Sequence, residues 1–316
     1  MKKVNLEFSN LKVSLPTINY FTDRLEYNIP FHFLRANHGI WDLLFFTFEN
    51  NLNELNLLLN SKNYFEIAKR VVEHHNSNNF YKDREGIKYF HGESKYFINR
   101  LYYFILSFCE YKLISPKFEI GLSLGVGLHD KFGVWGKDNP IQIGRQEMVK
   151  FFTQYDTNMF HYSGVLKHYC IMGEIQILFD KLNQLDFNVI LLGQNYFKNF
   201  KEVYNIKNFN HIEIPISAAS EQFDNYIESI KLVSKQYKKN IVLHSCGHVL
   251  SFYLAHQLKD TNIFGIDIGK SFDLDVKDSV EDERVAGKYD WFNVDWIPNP
   301  HQYYGDYIKK LRNDNQ

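Results

Sequence analysis

Three places in this sequence set small, polar or basic residues between a short apolar run and a helix-like pattern. Phe31-His32-Phe33-Leu34-Arg35 leads into Ala36-Asn37-His38-Gly39. Asn188-Val189-Ile190-Leu191-Leu192 leads into Gly193-Gln194-Asn195, and Asn240-Ile241-Val242-Leu243 into His244-Ser245-Cys246-Gly247-His248. The first turn of a helix carries N–H groups without intrahelical partners and a partial positive charge. Glycine there lets the backbone come close to a phosphate. One such turn is an ordinary connection; three of the same design predict an anion-binding edge. The predicted binding residues are Arg35, Asn37, His38, Gly39, Gly193, Gln194, Ser245, Gly247 and His248.

Other groupings carry less chemistry. His244, Cys246 and His248 alternate as strand-borne ligands would, but the chain turns into a helix after residue 244. No second cluster supplies further ligands at a recognised zinc spacing, so no metal site is predicted from them. Cys246 matches no nucleophile motif. Gly125-Val126-Gly127 lacks the third glycine of a dinucleotide fingerprint, and there is no P-loop signature. His74-His75 falls on a polar helix and reads as solvated.

The elements that must position the turns follow from the apolar pattern. Short continuous apolar runs suit strands buried on both faces of a parallel sheet. Further strands are expected at His211-Ile212-Glu213-Ile214 and at Asn262-Ile263-Phe264-Gly265-Ile266-Asp267. Between them, Ile171, Ile175, Leu178 and Leu182 share one helical face, as do Ile227, Ile230, Val233 and Tyr237. Strands alternating with helices predict a single α/β domain over 1–316 with a doubly wound, mostly parallel, Rossmann-like sheet. Residues 52–113 read as a mainly helical insertion, a lid or subdomain. The glycine-dense stretch 121–160 reads as loops and short strands, and 309–316 as a frayed tail.

Composition narrows the class. The chain has 316 residues, 45% of them hydrophobic, enough for a sizeable core and against wholesale disorder. Lys and Arg number 36 against 37 Asp and Glu, for a net charge of -1, which disfavours a protein that grips nucleic-acid backbone. Three scattered cysteines make no disulfide framework and fit a reducing compartment. Met1-Lys2-Lys3 runs into an alternating, strand-like segment and not the apolar core of a signal peptide. No stretch is long and apolar enough to span a bilayer. The expectation is a soluble, cytoplasmic protein.

The turns also carry a family pattern. Arg35-Ala36-Asn37-His38-Gly39-Ile40-Trp41 resembles the Arg-Phe-Gly-Asp-Gly-Glu element of the GT-D-fold glycosyltransferases. Val189 through Gly193 is similar to the family's second strand-and-glycine turn. Pro215-Ile216-Ser217-Ala218-Ala219-Ser220-Glu221-Gln222-Phe223-Asp224 resembles its Pro-x-x-Asn-Ala-x-x-x-Tyr-Asp block, with Ala218 in place of Asn. Gly247 to Leu258, followed by Ile266-Asp267-Ile268-Gly269, resembles the strand-helix-strand that ends in Asp-Ile-Gly. The likeness spans about residues 30–275 and rests on the order and spacing of loose motifs.

The resemblance implies a GT-D-like fold and transfer of a sugar from a nucleoside-diphosphate sugar, with UDP favoured, to a glycan or glycoconjugate acceptor. The family's Asp-x-Glu pair, which positions a divalent metal such as Mn or Mg, falls on His38 and Ile40, so the usual metal ligands are missing. Transfer builds negative charge on a departing diphosphate, which must then be met by side chains and helix N-termini. Arg35, Asn37, His38 and the Gly247-His248 turn are placed to do so. A base must take the acceptor's proton; Asp42, Asp267 and Asp273, near strand ends, are the candidates. A catalytically inactive relative, and a glycosyltransferase acting on modified nucleic-acid bases, are the competing expectations.

Overall fold

The computed structural model describes residues 6–8, 11–14, 16–36, 38–77, 94–110, 118–122, 148–149, 151–152, 159–171, 173–215 and 221–276. The chain opens with β1 (Leu6–Phe8), β2 (Leu11–Ser14) and α1 (Ile18–Glu26). Then come β3 (His32–Ala36), α2 (His38–Phe48), α3 (Leu52–Asn60), α4 (Tyr64–Ser77) and α5 (Ser94–Cys109). After β4 (Phe118–Leu122) and β5 (Met159–Tyr162) follow α6 (Val165–Ile171) and α7 (Ile175–Gln184). The second half runs β6 (Asn188–Gly193), a 3₁₀ turn Asn195–Asn199, α8 (Phe200–Val203), β7 (Asn208–Glu213) and α9 (Phe223–Ser234). It closes with β8 (Asn240–His244), α10 (His248–Leu258), β9 (Ile263–Asp267) and α11 (Asp273–Val276).

The described strands form one sheet in the order β1-β2-β5-β4-β3-β9-β8-β6-β7, and only β1 and β2 pair antiparallel. This is the mostly parallel α/β sheet expected from the apolar runs. β3, β6, β8 and β9 are buried along their whole length, as strands covered on both faces must be.

Alternation along β6 and β8 shows the two covers. Ile190, Leu192 and Val242 pack with Phe223, Ile227 and Ile230 of α9 and Leu250 and Leu254 of α10. Val189, Leu191, Ile241 and Leu243 belong to the other cluster, with Leu178 and Phe179 of α7 and Phe197 and Phe200 beyond β6. Successive side chains of a strand point to opposite faces, so each strand feeds both cores. The winding is therefore double.

The order also locates a switch point. The chain leaves β6 toward β7 at the sheet edge but leaves β8 the opposite way, toward β9. Right-handed crossovers then carry the segments after β6 and after β8 to opposite faces. A crevice opens between such neighbours, outside their carboxyl ends.

Two of the periodic patterns run across helix ends. Gly173, at φ 71, separates α6 from α7, so Ile171 and Ile175 belong to different helices. A left-handed glycine ends a helix, whatever the apolar spacing on either side. Tyr237 likewise lies past the end of α9, where its N–H donates to the Ser234 carbonyl in a turn.

Of the stretch 52–113, α3, α4 and α5 are helical, and α5 packs directly on α10. Trp41 of α2 meets Phe104 and Phe108 of α5 edge-on, at 5.7 and 4.8 Å between ring centroids. Phe252 of α10 stacks on Phe108 at 5.7 Å. α10 is buried nearly all round, wedged between the sheet, α5 and α9, as its unbroken apolar composition requires. His75 of α4 is buried, unlike the solvated residue expected from its polar neighbours. Most of 121–160 and all of the tail 309–316 lie outside the described residues. Among the described residues, no helix is long and apolar enough to cross a membrane.

Candidate functional site

Because the central strands are parallel, the carboxyl ends of β3, β9, β8 and β6 line one edge. Backbone bonds lace that edge together. The Ser245 N–H donates to the Leu192 carbonyl at 2.8 Å, and the Ile268 N–H to the His244 carbonyl at 3.0 Å. The Ser245 hydroxyl donates to the Gly269 carbonyl at 2.8 Å, tying the turn after β8 to the turn after β9.

Gly247 is the last residue before α10, with φ 84 and ψ 154, a conformation L-residues rarely adopt. It offers no side-chain cap, and the first turn of α10 holds no acidic residue. The helix's positive end therefore faces the strand edge, where the nearby carboxylate is that of Asp267, close to His248 and Ser251 of its first turn.

An ion pair spans the same edge. Arg35, at the end of β3, places Nη2 3.2 Å from Oδ1 of Asp267, the last residue of β9. Both side chains are almost wholly buried, Asp267 to 1% exposure. Burial pushes the Asp267 carboxyl up, but Arg35, His244, His248 and a hydrogen bond from Ser251 together outweigh it and hold the group below the ordinary aspartate value. The guanidinium crosses directly over Gly269, where a Cβ would stand 1.4 Å from Nη2. Gly269 also has φ +44, which favours glycine on its own account. Gly269→Ala should accordingly cost about 2 kcal/mol, from left-handed backbone strain plus displacement of Arg35. Urea denaturation of the variant measures that loss.

His244 ends β8 beside Asp267, its partner in the β8–β9 register, so the two side chains share a face of the sheet. Its Nδ1 lies 3.1 Å from the Ser251 hydroxyl of α10, and the ring is fully buried. Burial pulls its pKa down to about 4, so the imidazole is neutral at pH 7. Cys246 places Sγ 3.6 Å from the same Ser251 oxygen. Burial raises the thiol well above its ordinary value, which leaves it without thiolate character.

The edge gathers Arg35, Ser245, Gly247, His248 and Asp267, and His248 is near enough to Asp267 to act on its carboxyl electrostatically. Gly193 ends β6 and Gln194 follows it, on the other side of the β6–β8 switch point. His38 opens α2, with the half-buried Gly39 next to it. Asp42 is half-buried four residues into α2, about 6 Å along the helix axis from its start. Asp273 opens α11. Asn37 lies outside the described residues.

Sequence reasoning considers His244 only as a metal ligand and passes over Ser251. The one available signal is a lone serine in the apolar run 249–255, seven residues after a histidine at a strand end. It also misses a clamp behind the site. Arg100 of α5 pairs with Asp224 at 2.8 Å and lies 3.9 Å over the ring of Tyr253, whose hydroxyl donates to Asp224 at 2.7 Å. That clamp ties α5 and α10 to the start of α9.

Of the two positions that correspond to the family's Asp-x-Glu pair, His38 opens α2 and Ile40 lies within its first turn. Ile40 is a core residue, 4% exposed, packed in the same cluster as Trp41 and Leu44. Among the described residues, no group of three His, Cys, Asp or Glu is arranged to hold a metal ion. Comparison of the chain with protein-family models, curated proteins and solved structures finds no match.

Proposed function

We propose that this protein is a glycosyltransferase that takes a sugar from a nucleoside-diphosphate sugar, with UDP favoured as the nucleotide, to a glycan-type acceptor. The observation that carries this reading is the uncapped, acid-free start of α10 at the β6–β8 switch point, beside the buried Arg35–Asp267 pair. A diphosphate leaving group needs positive potential where its charge grows. Asp267 already balances Arg35, so the N–H groups opening α10 are the natural partners of the phosphates. Ile40 in the core supports charge neutralisation by the protein itself and not by a carboxylate-held metal. The sequence likeness to GT-D-fold enzymes from about residue 30 to 275 points the same way.

The test is a thermal-shift screen of UDP, GDP and their sugars, with and without manganese, followed by an assay for sugar transfer or donor hydrolysis. A ligand at a hundred times its Kd stabilises by about 2.7 kcal/mol, which a melting curve resolves. No shift with any nucleotide or nucleotide sugar would overturn the proposal.

A second reading is an inactive relative that still binds the donor. It draws support from Ile40 and from the low pKa of Asp267, a poor match for a base at neutral pH. Turnover of any donor excludes it.

A further inference from the structure

Among the described residues, Arg35 Nε, His244 Nε2, Asp267 Oδ2 and Ser271 Oγ, all buried at the carboxyl edge, find no hydrogen-bond partner. Folded proteins leave few such atoms, because each costs the full desolvation of a polar group. These four come from the ends of β3, β8 and β9 and from the turn after β9, which the Ser271 N–H closes by donating to the Ile268 carbonyl at 2.9 Å. Asp267 is 1% exposed, His244 0% and Ser271 4%, so none of them is a solvated surface group.

Their chemistry restricts what could satisfy them. Arg35 Nε can only donate, Asp267 Oδ2 can only accept, and the Ser271 hydroxyl does either. A phosphate set against the Asp267 carboxylate would be repelled, and the Arg35 charge is already spent on the other carboxylate oxygen. An uncharged hydroxyl, donor and acceptor at once, meets no such repulsion. We propose that Asp267 and Ser271 bind a hydroxyl group on the ribose or the sugar ring of the ligand, with Asp267 as a specificity-determining acceptor and not as the base. Arg35 is then a positioning residue that keeps the carboxylate ionised and aimed. His244, held through Nδ1 by Ser251, supports it from the neighbouring strand.

This inference rests on the nucleotide-sugar reading and deepens it. Isothermal titration of the full chain with UDP, 2′-deoxy-UDP, 3′-deoxy-UDP and UDP-glucose tests it, using the wild type, Asp267→Asn and Ser271→Ala. Ser271→Ala removes a hydroxyl that has no partner among the described residues, so it should fold with an unchanged melting temperature even if Asp267→Asn does not. If the hydroxyl belongs to the ribose, the wild type binds one deoxy-UDP about ten-fold more weakly than UDP, or worse. If it belongs to the sugar, the variants lose that factor for UDP-glucose and not for UDP. Loss of this discrimination in either folded variant supports the inference. Retention of wild-type affinity for all four probes in both variants overturns it and leaves the nucleotide-sugar reading standing. If the wild type binds none of the four, the reading fails and the inference fails with it.

Discussion

Arg35→Met should destabilise the protein by about 3–5 kcal/mol at pH 7, because it leaves the Asp267 carboxylate buried without its cation. The pH dependence identifies the cause. In the wild type, burial raises the Asp267 carboxyl, but Arg35, the largest of the opposing influences, acts with His244, His248 and Ser251 to hold the folded-state pKa below the ordinary 3.8. The pair therefore contributes stability above that value and loses it as the pH falls through the folded pKa. Without Arg35, burial is the dominant influence and drives the carboxyl the other way, above 3.8. The variant then gains stability relative to wild type as acid protonates Asp267. The gap in urea midpoint should be widest at pH 7 to 8 and narrow toward pH 4. Arg35→Met combined with Asp267→Leu should recover most of the loss, since a buried pair replaced by apolar groups is often near neutral. A single variant as stable as wild type at pH 7 would mean that Asp267 has another counter-charge.

The second large effect has the opposite sign. Asp275 of α11 accepts a hydrogen bond from the Tyr204 hydroxyl, within an aromatic cluster of Phe179, Phe200 and Phe272 packed on Tyr204. Burial pushes its carboxyl up to about 6 from the ordinary 3.8, against the opposing hydrogen bonds from Tyr204 and Cys170. The folded state thus binds the proton more tightly than the unfolded chain. Stability falls as pH rises from about 4 to about 6, and above that the cost of the buried charge is fully present. A rise of that size corresponds to about 3 kcal/mol as an upper bound. Asp275→Asn keeps an acceptor for Tyr204 and removes the charge, so it should stabilise the protein by up to that amount at pH 8 and by almost nothing at pH 4. Melting temperatures of the two proteins at both pH values decide the matter. A variant less stable than wild type at pH 8 would show that the charged carboxylate is favourable where it sits.

How much of this is legible in the sequence differs from element to element. β3, β6, β8 and β9 can be read directly, because strands covered on both faces must be apolar throughout and the turn after each is marked by glycine or polar residues. Periodicity alone joins Ile171 to Ile175 across Gly173, since apolar spacing carries no information about the backbone conformation between two helices.

The sequence by itself determined the α/β class, the alternation of strands and helices, and the turns at Gly193 and Gly247 that reach the carboxyl edge. These follow from local patterns of burial and backbone freedom. It is also the sole source of the glycosyltransferase likeness. Only the tertiary structure decided that β9 lies between β3 and β8, bringing Arg35 to Asp267 and setting Asp267 beside His244. Strand order and register come from pairing between segments far apart in the chain, and no local pattern encodes them. The same pairing turned Asp267 from one of three equivalent base candidates into a buried, Arg35-held carboxylate with one oxygen unpartnered among the described residues. It also gave Gly269 its second role: a glycine in Asp-Ile-Gly reads as a turn, whereas here it is the floor over which the Arg35 guanidinium passes.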